Sequence, residues 1–420
     1  MGRYVERVWE GDPSGATRAE RASCRYQAYV PDRLLDADVE LPASVAADLV
    51  DVEQQVRHLN DQQRGLANLE PLARFLLRAE AVASSNIEGL VLNVRRLARS
   101  EAAERDGLPV TDATARAVLG NIRALDESLA LASDPTLPVT LEDLLAIHRA
   151  LLTGSREEAW AGVVRGEQNW VGGVNPCSAA FVPPPHEEVG GLLADLLEYM
   201  SGDEHPALLQ AALAHSQFET IHPFADGNGR AGRALIQLVL RRRGVATRVL
   251  PPVSLVLATK ADQYVQALDG TRTDGPTLAG KLAWVELFLS ATGRACRDAR
   301  MFAAELIDLE AASRARLGRV RANSAADRLV TALPSLPVFS VSTAAAHIGR
   351  TFQATSDAVE RLRAAGVVRQ VTIGRRNRAF EAVGLFEAFT GFERSLASPD
   401  ADTRVSPPAR HVPQRPTRTR

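Results

Sequence analysis

Residues 222–233 read His222-Pro223-Phe224-Ala225-Asp226-Gly227-Asn228-Gly229-Arg230-Ala231-Gly232-Arg233. Pro223 has no N–H for a helical ladder and biases the residue before it away from helical backbone, so a helix ends at His222 and leaves its imidazole at the mouth of a turn. The next helix starts near Gly229. Gly227 and Gly229 can take positive φ, which lets successive N–H groups converge on an anion at a helix N-terminus, where the macrodipole also favours negative charge. The stretch reads as a phosphate cradle. Arg230 and Arg233, three residues apart, share one side of the first helical turn and suit bidentate contacts to phosphate oxygens. Asp226 offers the hard oxygen ligand that a Mg2+ ion bridging such phosphates takes.

Around this loop the pattern is helical. Val45, Leu49, Val52, Val56 and Leu59 recur at three- and four-residue steps, as do Leu72, Phe75, Leu76, Ala79 and Val82 within 71–88, where Gly89 is a natural stop. Similar patterns cover 113–132, 140–153, 186–200, 206–221 and 229–243, so the fold class is mainly α. Between two of these helices, 169–185 contains Trp170, Gly172, Gly173 and three successive prolines; its centre, Ser178, Ala179, Ala180, Phe181 and Val182, reads as a short strand of a hairpin. The first forty residues mix glycine, proline and charge and read as an extended arm laid over something else. After about Asn323, helical stretches at 324–333, 342–348 and 354–365 precede apolar segments at 367–373 and 379–383, the order of a winged helix. From Ala397 a tail rich in Pro, Arg, Thr and Ser lacks an apolar period and reads as disordered.

A chain of 420 residues with 45% apolar and 24% charged side chains exceeds one domain and can bury a large core. No apolar run approaches the roughly 20 residues that span a bilayer, and the first ten residues carry charge where a secretory signal needs an apolar stretch, so a cytoplasmic protein outside the membrane is expected. Cys24, Cys177 and Cys296 match neither a disulfide framework nor a zinc spacing and read as reduced thiols. Only Lys260 and Lys281 among the 49 basic residues are lysines, an arginine bias that fits a GC-rich bacterial genome. With 51 acidic residues in balance, nucleic-acid binding needs a local patch, for which Arg361, Arg363, Arg369, Arg375, Arg376 and Arg378 are candidates.

The motif resembles the signature of the Fic (Fido) family, His-Pro-Phe-x-Asp-Gly-Asn-Gly-Arg-x-x-Arg, with all nine fixed positions filled. The resemblance extends to 211–221, which is similar to the helix leading into the family's motif, and to Arg165 with Gln168, Asn169, Trp170, Val171, Gly172 and Gly173, which resemble the segment before its flap. Ser84-Ser85-Asn86-Ile87-Glu88-Gly89 fits the family's inhibitory pattern, with Ser84 and Glu88 four apart on one helix.

The resemblance implies a Fic/Fido helical core with a small β-hairpin flap and a C-terminal winged-helix domain. It divides the chain into an arm at 1–40, a helical region with the inhibitory helix at 41–112, the catalytic core at 113–295, a connecting helix at 296–322, the winged helix at 323–395 and a tail at 396–420. It further implies transfer of AMP from ATP to a Tyr, Thr or Ser hydroxyl of a target protein. His222 would be the general base and Asp226 the Mg2+ ligand. Phe224, Gly227, Asn228, Gly229, Arg230, Ala231, Gly232, Arg233 and Tyr264 would serve the nucleotide, and residues 178–182 the target. Glu88, with Ser84, would inhibit by pairing with Arg233. Rival readings stay open: removal of AMP with Glu88 positioning water, transfer of another phosphate-containing group, or a DNA-binding regulator built on the winged helix. Self-modification, a homodimer and protein contacts through the winged helix stay open as well.

Overall fold

The computed structural model describes residues 2–397 except 12, 16, 38, 62–68, 273–277, 375 and 376. The tail beyond 397, with Arg375 and Arg376, lies outside the described residues. The chain begins with β1 (Arg3–Trp9), α1 (Arg18–Arg21) and β2 (Cys24–Val30), followed by α2 (Ala43–Asp61), α3 (Glu70–Ile87), α4 (Val94–Arg105), α5 (Ala113–Leu131) and α6 (Leu141–Leu152). Next come α7 (His186–Ser201), α8 (Ala207–Ile221), α9 (Asn228–Arg242), α10 (Val253–Leu257), α11 (Ala261–Gly270) and α12 (Leu278–Leu317). The remainder is α13 (Ala325–Ala332), β3 (Val338–Phe339), α14 (Val341–Ile348), α15 (Phe352–Ala364), β4 (Val368–Ile373), β5 (Asn377–Ala382) and α16 (Leu385–Ala397). The fold is mainly helical, with a small N-terminal hairpin and a C-terminal winged-helix-like element. No helix among the described residues is long and apolar enough to cross a membrane.

Two compact units result: one from the described residues of 1–53, 123–245 and 261–290, the other from those of 54–122, 246–260 and 291–420. In the first, α8 is the central helix, and all fifteen of its residues are buried. It buries Gln210, His215, Ser216, Gln217, Glu219 and Thr220 along with its alanines and leucines, as a helix surrounded by protein must. It packs against α9 at close range because Gly232 has no side chain: a Cβ there would meet Glu219 Oε1 at 2.5 Å and Phe218 Cδ1 at 3.0 Å. Trp284 covers α8 from α12 and donates from Nε1 to the Ala212 carbonyl at 2.8 Å. Helix α6 starts on a capping box, the Thr140 side chain and the Asp143 carboxylate each accepting from the other's backbone N–H.

The N-terminal arm is a hairpin, β1 pairing antiparallel with β2 from Arg3↔Val30 to Trp9↔Cys24. It lies over the 169–185 segment, as expected of an arm. The Tyr29 N–H donates to the Val182 carbonyl at 3.0 Å, and Trp9 meets Trp170 edge to face at 5.4 Å. Beyond the hairpin, the buried Asp195 carboxylate accepts from the Leu34 N–H at 2.6 Å and from Arg33 Nε at 3.1 Å. One sequence expectation is corrected here. Cys24 and Cys177, 153 residues apart, form a disulfide with their Cα atoms 6.3 Å apart, within the range a bridge spans. Only proximity in the fold reveals that pair, while Cys296 is a buried free thiol.

In the second unit, α3 is held by buried polar ties. Arg78 donates to both oxygens of Glu101 on α4, at 2.7 and 3.2 Å, and to the Ser335 carbonyl at 2.7 Å. Asn121 donates to the Ala81 carbonyl at 3.0 Å and to Ser85 Oγ at 3.2 Å. The winged-helix-like element forms an antiparallel sheet in the order β3-β5-β4 and packs on α4, where Asp106 accepts from Ser340 at 2.7 Å and from Thr343 at 2.6 Å. Its basic residues are largely engaged within the unit. Arg363 and Arg378 pair with Glu360, Arg361 donates to the Leu317 and Arg319 carbonyls, and Arg369 joins Arg95 and Arg99 around the buried Glu381.

Candidate active site

Helix α8 ends at His222, whose backbone is left-handed (φ 49°, ψ 60°) and whose N–H donates to the Phe218 carbonyl at 2.9 Å. A non-glycine residue in this region is disfavoured by about 1 kcal/mol, so the surroundings must enforce it. They do so through the His222 carbonyl, which accepts from Arg165 Nε at 2.9 Å and from Asn169 Nδ2 at 3.1 Å. Arg165 also donates to the Glu167 carbonyl at 2.9 Å and the Pro184 carbonyl at 2.6 Å. Its burial pushes its pKa down to about 10, so the guanidinium is still charged at neutral pH. The imidazole is partly exposed. Its Nδ1 lies 3.3 Å from the Glu219 carbonyl oxygen, which can only accept, so the neutral ring carries its proton on Nδ1 and leaves Nε2 as the acceptor.

The loop after His222 is braced from inside. The Asn228 side chain accepts from the Phe224 N–H at 2.9 Å and donates to the Phe224 carbonyl at 2.8 Å. Asn169 Nδ2 also reaches the Phe224 carbonyl at 3.0 Å. The Phe224 ring is fully buried and lies flat on His148, with centroids 3.6 Å apart and planes 2° from parallel. Gly227 caps α9 at φ +80°, and a Cβ there would meet Leu151 Cδ2 at 3.0 Å and His148 Nε2 at 3.3 Å. The Asp226 carboxylate is 42% exposed and takes Arg230 Nη2 on Oδ2 at 3.1 Å. A hard, accessible carboxylate beside a glycine N-cap suits a Mg2+ ion shared with nucleotide phosphates, and the guanidinium already beside it suits the phosphates themselves.

Several residues of the motif lie inside the fold. Phe224 and Ala231 are fully buried, the Asn228 side chain bonds the loop backbone, and Gly232 allows close helix packing. Gly227 and Gly229 stand at the start of α9, with Arg230 and the buried Arg233 in its first turns. Tyr264 is only 3% exposed and its hydroxyl meets His215 Nε2 at 2.7 Å. Burial pushes the His215 pKa down to about 3, which suits a neutral packing residue.

The 178–182 segment forms an isolated bridge, Val171 with Phe181. Its turn is tied by Asn175, whose Oδ1 accepts from the Cys177 and Ser178 N–H groups at 3.1 and 3.0 Å. Arg272 lies over the Phe181 ring at 4.1 Å, a contact that no local pattern announces. Ser84 and Glu88 belong to the second unit. Ser84 is buried in α3, and Glu88 is the exposed C-cap residue just after the helix. Sequence reasoning also missed His148, one histidine on an apolar helix face with nothing local to single it out.

Residues 138–240 match the Fic/DOC family and residues 46–130 its N-terminal family, "Fic/DOC family N-terminal". The chain is 34% identical over 129 residues to a protein adenylyltransferase fic-1 of Caenorhabditis briggsae, covering 30% of this chain and 23% of that protein. It is 36% identical over 119 residues to a protein adenylyltransferase Fic of Drosophila virilis, covering 27% and 23%. The aligned stretch thus spans about a quarter of the length of these relatives. A crystal structure of a Fic family protein from Desulfovibrio desulfuricans G20 superimposes with a TM-score of 0.50 at 23% identity, covering 83% of this chain and 98% of that one. That likeness concerns the fold alone. With the nine-position motif complete on the turn between α8 and α9, the chain is a Fic/Fido-domain protein related to known Fic adenylyltransferases.

Proposed function

We propose that this protein transfers AMP from ATP to a Tyr, Thr or Ser hydroxyl of a target protein. The observation that carries the reading is the left-handed His222, held by two hydrogen bonds on its carbonyl directly before a glycine-capped helix. The acceptor hydroxyl gives its proton to His222 Nε2, its oxygen bonds to the α-phosphorus, and the bond from that phosphorus to the α–β bridging oxygen breaks, releasing pyrophosphate. The N–H groups of 227–229 and the guanidiniums of Arg230 and Arg233 meet the phosphates. Asp226 would hold a Mg2+ ion, whose charge would offset that of the phosphates. The segment 178–182 holds the target by strand addition, within a core at 113–295.

Glu88, with Ser84, restrains the activity. That part of the reading rests on their pattern in the sequence and on the firm anchoring of α3. The engagement of Arg361, Arg363, Arg369 and Arg378 by acids and carbonyls of their own unit weighs against a primary role in DNA binding. Incubation with ATP labelled at either the α- or the γ-phosphate tests the proposal: only α-label is expected on protein, and γ-label on protein would refute it.

A further inference from the structure

We infer that His148, outside the nine-position motif, is a positioning residue that holds the Asp226–Gly227 turn through one hydrogen bond and one ring stack. The inference rests on the nucleotide-transfer reading of that turn. His148 projects from α6, and its two ring nitrogens face partners of opposite kind. At Nδ1 it meets the Gly162 N–H at 3.0 Å, and at Nε2 the Asp226 carbonyl oxygen at 2.9 Å. The first partner can only donate and the second can only accept. The pair therefore fixes one tautomer, with the proton on Nε2 pointing at the Asp226 backbone. The face of the same ring lies on Phe224 at 3.6 Å, so one side chain fixes both the residue that anchors the loop and the residue that presents the carboxylate.

The glycine of the turn confirms how close this contact is. Gly227 leaves 3.3 Å between an added Cβ and His148 Nε2, so the space above the histidine is filled by the backbone of the cradle itself. The effect of His148 passes through the Asp226 carbonyl, which orients the peptide whose N–H belongs to Gly227 and whose preceding carboxylate would hold the metal. Outer partners of this kind typically set metal affinity by about 10–100-fold.

Two substitutions separate the bond from the stack. His148→Phe keeps an aromatic ring on Phe224 but has no N–H for Asp226, whereas His148→Gln can place an amide N–H near the position of Nε2. Calorimetric titration of the full chain with ATP at fixed Mg2+ should show affinity weakened about tenfold in His148→Phe and largely restored in His148→Gln. Circular dichroism with wild-type helix content certifies the fold of each variant. Independently of any nucleotide, 15N-labelled histidine spectra should show His148 protonated on Nε2, and His148→Phe should shift the Gly227 amide resonance. Wild-type affinity in a folded His148→Phe variant, or a proton on Nδ1, overturns the inference. A wild-type protein that binds no Mg-ATP would instead refute the transfer reading, leaving the tautomer and the Gly227 shift to decide on the clamp.

Discussion

Removing the guanidinium of Arg165 tests how the left-handed histidine is maintained. Arg165 is 7% exposed and gives three short hydrogen bonds, at 2.6 to 2.9 Å, to the carbonyls of His222, Glu167 and Pro184. Bonds from a charged donor contribute about 1.5–3 kcal/mol each, and carbonyls near the surface recover part of that from water, so the low end gives about 4 kcal/mol for the set. Arg165→Met keeps the stem and deletes every donor. In a compact unit of roughly 200 residues, each kcal/mol lost moves the melting temperature by about 2–4 °C, so a fall of about 10 °C is expected. Arg165→Lys keeps the charge as a single ammonium that reaches one or two of the carbonyls, and should lose about half as much. Differential scanning calorimetry at pH 7 reads both. Arg165→Met melting within about 2 °C of the wild type would show that Asn169 alone secures the turn, and the account of His222 given above would fail.

Four further outcomes follow from the geometry. His222→Ala should abolish α-label incorporation while leaving Mg-ATP affinity by calorimetry near wild type, because in the proposed transfer the ring acts on the hydroxyl and not on the phosphates. Gly227→Val forces a β-branched residue to φ +80° with its Cβ 3.0 Å from Leu151; it should weaken Mg-ATP binding at least tenfold and cost about 2 kcal/mol in a urea melt. Glu88→Gly should raise α-label incorporation, self-modification included, and an unchanged rate in a folded variant would remove the inhibitory role. Burial by itself would raise the Glu101 carboxyl, but the Arg78 guanidinium, aided by Arg105, outweighs it and holds the pKa below the ordinary value. Glu101 therefore stabilises the fold above its unfolded pKa of about 4.3, and that share is lost as pH falls through the lower folded value. Glu101→Gln should flatten this part of the acid limb in melts recorded from pH 7 down to pH 3.

The turn at 222–228 was legible in the sequence because its signals are local. Pro223 and Gly227 dictate a helix end, a turn and a helix start within eight residues, while Gly229, expected to share the left-handed turn, lies in α9; α8 and α9 begin and end within one residue of the expected bounds. What escaped was long-range. Helix α4, Val94–Arg105, has an Asn93 cap and strong helix formers but only a thin apolar stripe, and its place depends on the ion pairs Arg78–Glu101 and Arg99–Glu381. The α12 helix runs without a break from Leu278 to Leu317, across the expected end of the core at 295. Its apolar period drifts because different neighbours cover different stretches. Phe224 and Asn228 belong to the motif, yet their burial as braces of the loop shows only once α6 and the flap are in place. The Cys24–Cys177 pair could not be read from spacing, since it depends on the arm returning to the 169–185 segment.

The hairpin arm sets a limit on what can be cut from this chain. The stretch most visibly shared with relatives, 138–240, contains the whole motif, yet it would leave behind the Tyr29 N–H that occupies the Val182 carbonyl and the Leu34 N–H that meets the buried Asp195. It would also discard Tyr264 and Trp284, which cover His215 on the central helix. Such a fragment would leave the Val182 carbonyl without its arm partner and the buried Asp195 carboxylate without the donors that satisfy it, a cost that favours unfolding and precipitation. The segment recognisable by descent is smaller than the segment able to fold, and the difference is supplied by residues that carry none of the family's signature.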